Sequence, residues 1–276
     1  MLSLFTYWRG SILLMVIVMV LISAEYTKSY PIEDPTKGVY ICMTGQLSRL
    51  ELVNKVNKLI KPLHSLGYSM YIGLALATDT SHFTNINNGD KMRLTTSIRQ
   101  ATRKLLNVEG VVEVRHFLPQ HSEEMYVNMW YKSLLDNDNS AARVTNHARQ
   151  YKTLQHCNDW PNIAHLTRLT IRVRDDILFE RMDVPSLVQQ TLTQTTVVTA
   201  TCDSWEGIND KVAFLPSSIS QQFFMTPYNK YLTFDAKVPA LNPEKFYRHV
   251  YTTGGLSLGN DSSLYVAKAV TERLSE

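Results

Sequence analysis

The segment LTIRVRDDILF, residues 169–179, decides the fold assignment. Arg172 and Arg174 alternate in it with isoleucine and valine, which is the two-residue period of a β-strand. β-Branched residues strengthen this interpretation because they favour extended backbone. We therefore predict a strand that ends at the adjacent carboxylates of residues 175–176.

Asp175 and Asp176 follow this predicted strand directly. Acidic side chains at the carboxyl end of a strand in an α/β sheet project into the crevice where ligands bind. Two hard oxygen donors suit Mg²⁺ or Mn²⁺ carrying a diphosphate, and Arg172 and Arg174 can bind phosphate oxygens through paired hydrogen bonds. The alternative is a solvated turn with local ion pairs, the commoner meaning of an isolated Arg-Asp-Asp sequence.

The first half of the chain alternates strand and helix patterns. Buried-strand patterns at residues 38–42, 68–77 and 111–117 are separated by helical spacing of apolar residues at 50–63 and 94–105. A βαβαβ order implies parallel strands joined by right-handed crossovers. We predict one α/β domain with a mostly parallel central sheet flanked by helices, and 276 residues suffice for its core.

The second half continues with strand and helix patterns. Residues 195–201 are typical of a buried strand, and residues 217–231 of a helix that breaks at Pro227. Asn242 is placed to cap a last helix, with Pro243 in its first turn.

The composition excludes some functions. The net charge is +3 and 19% of the residues are charged, so the chain lacks the basic surface of a nucleic-acid-binding protein. A charged small-molecule ligand fits this composition better. Cys42, Cys157 and Cys202 lack the spacing of a zinc site. One disulfide is compatible with a lumenal domain, but Cys42 and Cys202 fall in predicted buried strands, which favours apolar core thiols.

The N-terminus carries an uncharged apolar run, residues 10–24, after Trp8 and Arg9. This run is shorter than the roughly 20 residues of a full membrane span, so both a signal peptide and a signal anchor over residues 1–24 fit. Arg9 on the amino side and Trp8 near the interface favour a type II anchor. We therefore expect membrane attachment in the Golgi or endoplasmic reticulum, with secretion as the alternative.

The segment after the apolar run contains two prolines and is typical of a short stem, residues 25–37. Residues 38–276 then form the lumenal domain. Asn260 begins an Asn-Asp-Ser glycosylation sequon, which is consistent with an exposed position in the secretory lumen.

Gly45 lies in the turn between the first predicted strand and the following helix. Such a turn can bind phosphate because the amino end of a helix offers free N–H groups. The sequence around Gly45 is neither a Walker motif nor a dinucleotide fingerprint. Arg49, in the first turn of that helix, is a candidate nucleotide ligand or, equally, a surface arginine.

Residues 202–211 (CDSWEGINDK) combine acidic, amide and basic side chains around Trp205. This composition is poor for a core segment and typical of an active-site loop carried by a rigid sheet. Trp205 is placed to stack on a sugar ring. In the alternative interpretation, Asn209 and Asp210 cap a following helix and Trp205 packs on it.

Four polar residues of this loop are candidates for chemistry. Glu206 or Asp210 can act as a general base, and Asn209 or Lys211 can bind hydroxyls or phosphate. Further along the chain, His249 is a candidate metal ligand, although a lone histidine is more often an ordinary surface or core residue.

Three segments together, residues 45–52 (GQLSRLEL), 172–176 (RVRDD) and 205–211 (WEGINDK), resemble a family of poorly characterised algal and protist proteins related to GT-A glycosyltransferases. The resemblance extends from Val39 to about Tyr251. It implies a GT-A-like, Rossmann-related fold and a glycosyltransferase activity. The implied donor is a nucleotide-sugar, and the implied acceptor is a glycan or glycoprotein.

Many members of the GT-A superfamily hold Mn²⁺ or Mg²⁺ through an Asp-x-Asp element at a strand end. The resemblance implies that Asp175 and Asp176 hold the metal and diphosphate here, and that residues 205–211 contact the sugar and the acceptor. Arg174 stands where the first acid of that element is expected. Arg172 or Arg174 can therefore take over part of the cation's role.

An inverting transferase needs a base to deprotonate the acceptor hydroxyl. Glu206 is the first candidate, followed by Asp210 and Asp203, whereas a retaining enzyme needs none of them. Two other functions stay open on the sequence alone. One is a metal-dependent phosphoesterase that uses the same carboxylates, and the other is a non-catalytic lumenal protein that binds glycans.

Overall fold

The computed structural model describes most of the chain from residue 35 onward. The described residues are 35–78, 83–84, 91–92, 97–119, 124–135, 140–202, 204–238 and 241–268. Among them, none of the helices has the length and apolar character needed to cross a bilayer. The predicted signal segment and most of the predicted stem lie outside the described residues, and the stem's last part is a 3₁₀ turn, Pro35–Lys37.

Seven of the described strands form one central sheet in the order β10-β8-β9-β6-β1-β2-β5. The strands are β1 (Gly38–Gln46), β2 (Ser69–Ala77), β3 (Phe83–Thr84), β4 (Lys91–Met92), β5 (Val111–Phe117), β6 (Leu169–Arg174), β7 (Ile177–Arg181), β8 (Val197–Ala200), β9 (Val212–Pro216), β10 (Leu258–Asp261) and β11 (Tyr265–Lys268). Only β9 runs against its neighbours in this sheet, so the prediction of a mostly parallel α/β sheet is confirmed. β7 pairs with β11 and β3 with β4 in two small antiparallel sheets.

Helices cover both faces of the central sheet. The first, α1, begins at Val53 and runs through the π-helical turns Val56–Ile60 to Ser65. The other described helices are α2 (Ile98–Leu106), α3 (Met129–Leu134), α4 (Ala141–Gln155), α5 (Ile163–Leu166), α6 (Val184–Gln194), α7 (Ser220–Leu232) and α8 (Pro243–Thr253). As predicted, the Asn242 side chain caps α8 by accepting from Lys245 N at 2.7 Å.

The predicted break at Pro227 is wrong, because α7 continues through this proline. A proline inside a helix costs about 3 kcal/mol, and sequence reasoning therefore ends the helix there. Phe223, Phe224 and Tyr231 on α7 are all buried in the core. Burial of these large rings outweighs the missing backbone hydrogen bond.

The alternation within β6 separates two cores. Ile171 and Val173 belong to the core that contains residues of α1, α2 and α6. The opposite face packs under α4, α7 and α8, whose core residues include a dense set of aromatic rings. Arg172 lies on that second face, since it is in register with Cys42 and Ala213, both of which belong to the aromatic core.

A disulfide joins Cys42 on β1 to Cys157, which lies in the 3₁₀ turn after α4. The prediction of apolar core thiols is wrong for these two residues, whereas Cys202 is a free thiol that is partly buried against the core. The two sulfurs meet because the end of α4 passes over the aromatic face of β1, where the Tyr40 hydroxyl also donates to the Cys157 carbonyl at 2.9 Å. Such a contact depends on the tertiary fold, so no local pattern in the sequence predicts it.

The chain changes direction across the sheet between β1 and β6. From β1 it proceeds to β2 and β5 on one side, and then returns to place β6 on the other side of β1. In open α/β sheets, the carboxyl ends of the strands at such a switch point form the ligand crevice. From the topology we therefore expect a ligand site at the carboxyl ends of β1 and β6.

Candidate active site

The carboxyl ends of β1 and β6 are tied together by backbone hydrogen bonds. Asp175 N donates to Thr44 O at 2.9 Å, and Glu51 N donates to Asp175 O at 3.1 Å. The turn after β6 therefore lies directly against Gly45 and the 3₁₀ turn Leu47–Arg49. Gly45 has a φ of +133°, and a Cβ at this position would overlap the Asp175 carboxylate.

Asp175 is fully buried and forms a two-pronged ion pair with Arg49. Arg49 Nε donates to Oδ2 at 2.7 Å, and Arg49 Nη2 donates to Oδ1 at 3.1 Å. Gln46 N also donates to Oδ2 at 2.8 Å. Burial raises the pKa of Asp175, and Arg49 opposes this effect.

Asp176 and Asp210 share the guanidinium of Arg174. Its Nε and Nη2 atoms donate to the two oxygens of Asp176 at 3.1 and 2.9 Å, and Nη1 donates to Asp210 Oδ2 at 2.8 Å. Burial alone would lower the pKa of Arg174, but the two aspartates raise it well above its ordinary value. Burial also opposes ionisation of Asp210, yet Arg174 holds the pKa of this carboxyl below its usual range.

Arg172 lies behind this cluster, on the same face of β6 as Arg174. It is 5% exposed, and its Nε finds no acceptor among the described residues. Burial lowers its pKa, whereas Tyr247 and Asp210 raise it. Arg172 therefore adds positive charge beneath the crevice from within the aromatic core.

The loop before β9 contradicts the alternative interpretation of this segment, in which it caps a helix. Asn209 and Asp210 do not cap a helix, since residues 212–216 form the strand β9. Asn209 is buried, its Nδ2 donates to Cys202 O at 2.6 Å, and its Oδ1 accepts from Lys211 N at 2.9 Å. These bonds give Asn209 a role in shaping the loop.

Trp205 and Glu206 form the exposed tip of this loop. Both have positive φ angles, +42° and +65°, and the Trp205 side chain is left 66% exposed. Glu206 pairs with Lys245 at 2.9 Å, and this hydrogen bond lowers the Glu206 pKa. The structure thus leaves Trp205 available for stacking and directs Glu206 away from the aspartates.

Glu244 is a site residue that sequence reasoning missed. It lies in the first turn of α8, and its carbonyl accepts from Ile208 N at 3.2 Å. Gly207 packs so closely on it that a Cβ there would overlap the Glu244 carbonyl. Burial, reinforced by Asp210, raises the pKa of Glu244 to about 7. In the sequence, this acid stands close to a predicted helix cap, and we interpreted the segment only as the start of a helix.

Lys55 is a second missed residue. It is fully buried in α1, and its Nζ donates to the carbonyls of Glu51, Asp175 and Ile177 at 2.8, 2.9 and 3.0 Å. Burial lowers its pKa to about 8. A lysine on the apolar face of α1, four residues before Leu59, was the available signal.

Three candidates from the sequence remain, and the structure treats them differently. His249 lies on α8, where its ring packs edge-on against Phe234 at 5.7 Å between centroids. Lys211 lies next to Asp210, and its charge lowers the pKa of that carboxyl. Asp203 lies outside the described residues.

The donor set does not fit a divalent metal as it is arranged. Aspartate oxygens are the ligands that Mg²⁺ and Mn²⁺ prefer, but arginine N–H groups engage both oxygens of Asp175 and both of Asp176. Within the described ranges, no three or more His, Cys, Asp or Glu side chains group in a way that could hold a metal ion. We therefore derive no step through a metal.

Comparisons with known proteins give one structural similarity. No protein-family profile matches the chain, and no curated protein matches it. Among solved structures, the chain is similar to core-mannan synthase A (CmsA/Ktr4) from Aspergillus fumigatus in its Mn/GDP form, at a TM-score of 0.49 and 8% identity, over 87% of this chain and 78% of that one. A similarity at this level supports no inference about function.

Proposed function

We propose that this chain is a glycosyltransferase that moves a sugar from a nucleotide-sugar donor to a glycan or glycoprotein acceptor. One observation carries the proposal: paired arginines and aspartates converge where the carboxyl ends of β1 and β6 meet, at the topological switch point of the sheet. This is the place where open α/β sheets bind nucleotides. The resemblance of the three sequence segments to GT-A-related proteins agrees with this assignment.

Each part of the proposed site has a role in transfer. The guanidinium groups of Arg49 and Arg174 stabilise the negative charge that develops on the departing nucleoside phosphate. The exposed ring of Trp205 provides a stacking surface for a sugar. In the reaction, the acceptor oxygen forms a bond to the anomeric carbon while the bond from that carbon to the phosphate oxygen breaks.

For an inverting transfer, Glu244 is the described carboxylate whose pKa best suits a general base. Burial and Asp210 bring its pKa to about 7, which suits removal of a proton from an acceptor hydroxyl near neutral pH. Glu206 is less suited because it is exposed and paired with Lys245. We therefore transfer the proposed role from Glu206 to Glu244, with Asp210 in support.

A lumenal location is part of the proposal. The Cys42–Cys157 disulfide is of the kind that persists in oxidising compartments. Asn260, the first residue of the sequon, is exposed on β10 at the edge of the sheet. Both features suit a domain in the Golgi or endoplasmic reticulum, held by a type II anchor or secreted.

The experiment is a donor screen with the full-length chain. Nucleotide release from UDP-, GDP- and CMP-sugars is measured with and without a mixture of glycan acceptors. We expect acceptor-dependent release from one donor class, lost in Arg174→Gln and retained in Arg168→Gln, an exposed arginine before β6. Equal release without acceptor would favour the phosphoesterase hypothesis. No release, with glycan binding unchanged in Asp175→Ala, would favour the glycan-binding hypothesis.

A further inference from the structure

The charges at the end of β6 balance without a metal ion. Asp175, Asp176 and Asp210 carry three negative charges, and Arg49 and Arg174 contact all three carboxylates. Arg172 adds a third positive charge from below, as its electrostatic effect on Asp210 shows. Metal sites of hard oxygen donors rely on an excess of negative charge, and this cluster has none.

The groups around this cluster add charges of both signs. Lys55 lies under the turn and donates to the Asp175 carbonyl at 2.9 Å. Lys211 and Glu244 both act electrostatically on Asp210 or its neighbours, with opposite signs. Glu51, whose charge raises the pKa of Lys55, adds a further negative charge, so the site as a whole is close to neutral and lacks the excess of negative charge that a metal site needs.

Arg49 and Arg174 keep part of their side chains exposed next to the carboxyl ends of β1 and β6. Arg49 and Arg174 keep 18% and 16% of their side-chain surface exposed, although the carboxylates they hold are almost fully buried. A guanidinium group has five N–H donors, and the contacts of Arg174 to Asp176 and Asp210 use three of them. The guanidinium group of Arg174 thus has further N–H groups that can donate to phosphate oxygens, while the aspartates fix its orientation.

From this arrangement we infer that Arg49 and Arg174 bind the donor's diphosphate directly and that no divalent cation is required. The inference rests on the proposed nucleotide-sugar function. Asp175, Asp176 and Asp210 are then positioning residues, which hold the guanidinium groups in place before the ligand arrives. At Asp175 and Asp176 a metal ion would compete with charge-assisted hydrogen bonds of 2.7 to 3.1 Å, and at Asp210 Oδ1, which has no hydrogen-bond partner among the described residues, it would lie beside positive side chains.

The test is calorimetric titration of the full-length chain with UDP and GDP, in EDTA and again with Mn²⁺. We expect one nucleotide to bind with a dissociation constant that differs by less than about twofold between the two conditions. Binding that disappears in EDTA would overturn the inference and leave the transferase proposal standing. No binding in either condition would overturn both.

Three variants identify the groups that bind. In EDTA, Arg174→Gln should weaken binding by at least about tenfold, and Arg174→Lys, which keeps the charge but loses the planar fork, by a smaller factor. Arg168→Gln has the same charge change just before β6 and should bind like the wild type. Circular dichroism confirms that each variant is folded. Unchanged affinity in both Arg174 variants would overturn the inference.

Discussion

Arg174 Nη1 donates to Asp210 Oδ2 at 2.8 Å, and this ion pair joins the last residue of β6 to the loop before β9. The two residues are 36 positions apart in the sequence, and β6 and β9 are antiparallel neighbours. Both side chains are largely buried. The pair therefore makes one rigid unit of two segments that the sequence presents as separate motifs.

Lys55→Met should lower the free energy of unfolding by about 2–4 kcal/mol. The variant leaves the carbonyls of Glu51, Asp175 and Ile177 without the donor that satisfies them. Urea denaturation measures the change. Lys58→Met, an exposed lysine in the same helix, is the control and should stay within about 0.5 kcal/mol of the wild type. Equal stability of the two variants would contradict the assigned role.

Glu244→Gln should change how stability depends on pH. The pKa of Glu244 is about 7 in the folded chain, whereas a glutamate in an unfolded chain has a pKa of 4.5, so between these values the folded state binds more protons. The free energy of unfolding of the wild type therefore falls as the pH rises through this window, by about 1–3 kcal/mol from this group.

The variant should lack this fall and be more stable than the wild type above about pH 7. Denaturation curves across the window, taken as differences from the wild type, isolate the contribution of Glu244. Glu206→Gln is the control, since Glu206 is exposed. Parallel pH profiles for the wild type and Glu244→Gln would show that the carboxyl group is not perturbed.

Gly45→Ala should destabilise the fold by about 2–4 kcal/mol and weaken nucleotide binding. The new Cβ would overlap the Asp175 carboxylate, at a φ of +133° that side chains rarely adopt. Gly67→Ala is a matched control, because its φ is +82° and nothing lies within 4 Å of its Cβ. It should lose only about 1 kcal/mol, from backbone strain. The difference between the two variants measures the contact with Asp175 together with the different backbone strain at the two φ angles.

The disulfide determines how many cysteine thiols should react with a thiol reagent. Of the three cysteines, one should react in the denatured, non-reduced chain, and all three after reduction. Replacing Cys42 and Cys157 with serine should lower the free energy of unfolding by about 2–5 kcal/mol. Cys202→Ser should leave the dependence of stability on reductant unchanged. Three reactive thiols without reductant would contradict the pairing.

Much of the fold follows from local pattern. The alternation in residues 169–174 predicted β6, and the strand and helix spacing in the first half predicted the parallel arrangement of β1, β2 and β5. These predictions succeed because strands buried on both faces are rich in apolar and β-branched residues, and because in β6 the arginines alternate with such residues at the period of a strand. The acids after β6 could be placed at the crevice because the carboxyl ends of strands in an α/β sheet border the ligand site.

The rest depends on which side chains meet across the fold. Nothing local distinguishes Glu206 from Glu244, yet in the fold Glu206 pairs with Lys245, whereas Asp210 raises the pKa of Glu244. Residues 212–215 are apolar enough for either a helix or a strand, and they form a strand because they pair with β6. A periodic pattern indicates which side chains are buried, but it does not indicate which residues they contact.

The central claim is sugar transfer at the end of β6, and mass spectrometry of an acceptor glycan tests it most directly. The full-length chain is incubated with an isotopically labelled nucleotide-sugar of each class and an acceptor mixture. The account predicts an acceptor that gains the mass of one labelled sugar with the wild type and Arg168→Gln, and gains none with Arg174→Gln. Labelled free sugar without any modified acceptor, or transfer that persists in Arg174→Gln, would contradict it.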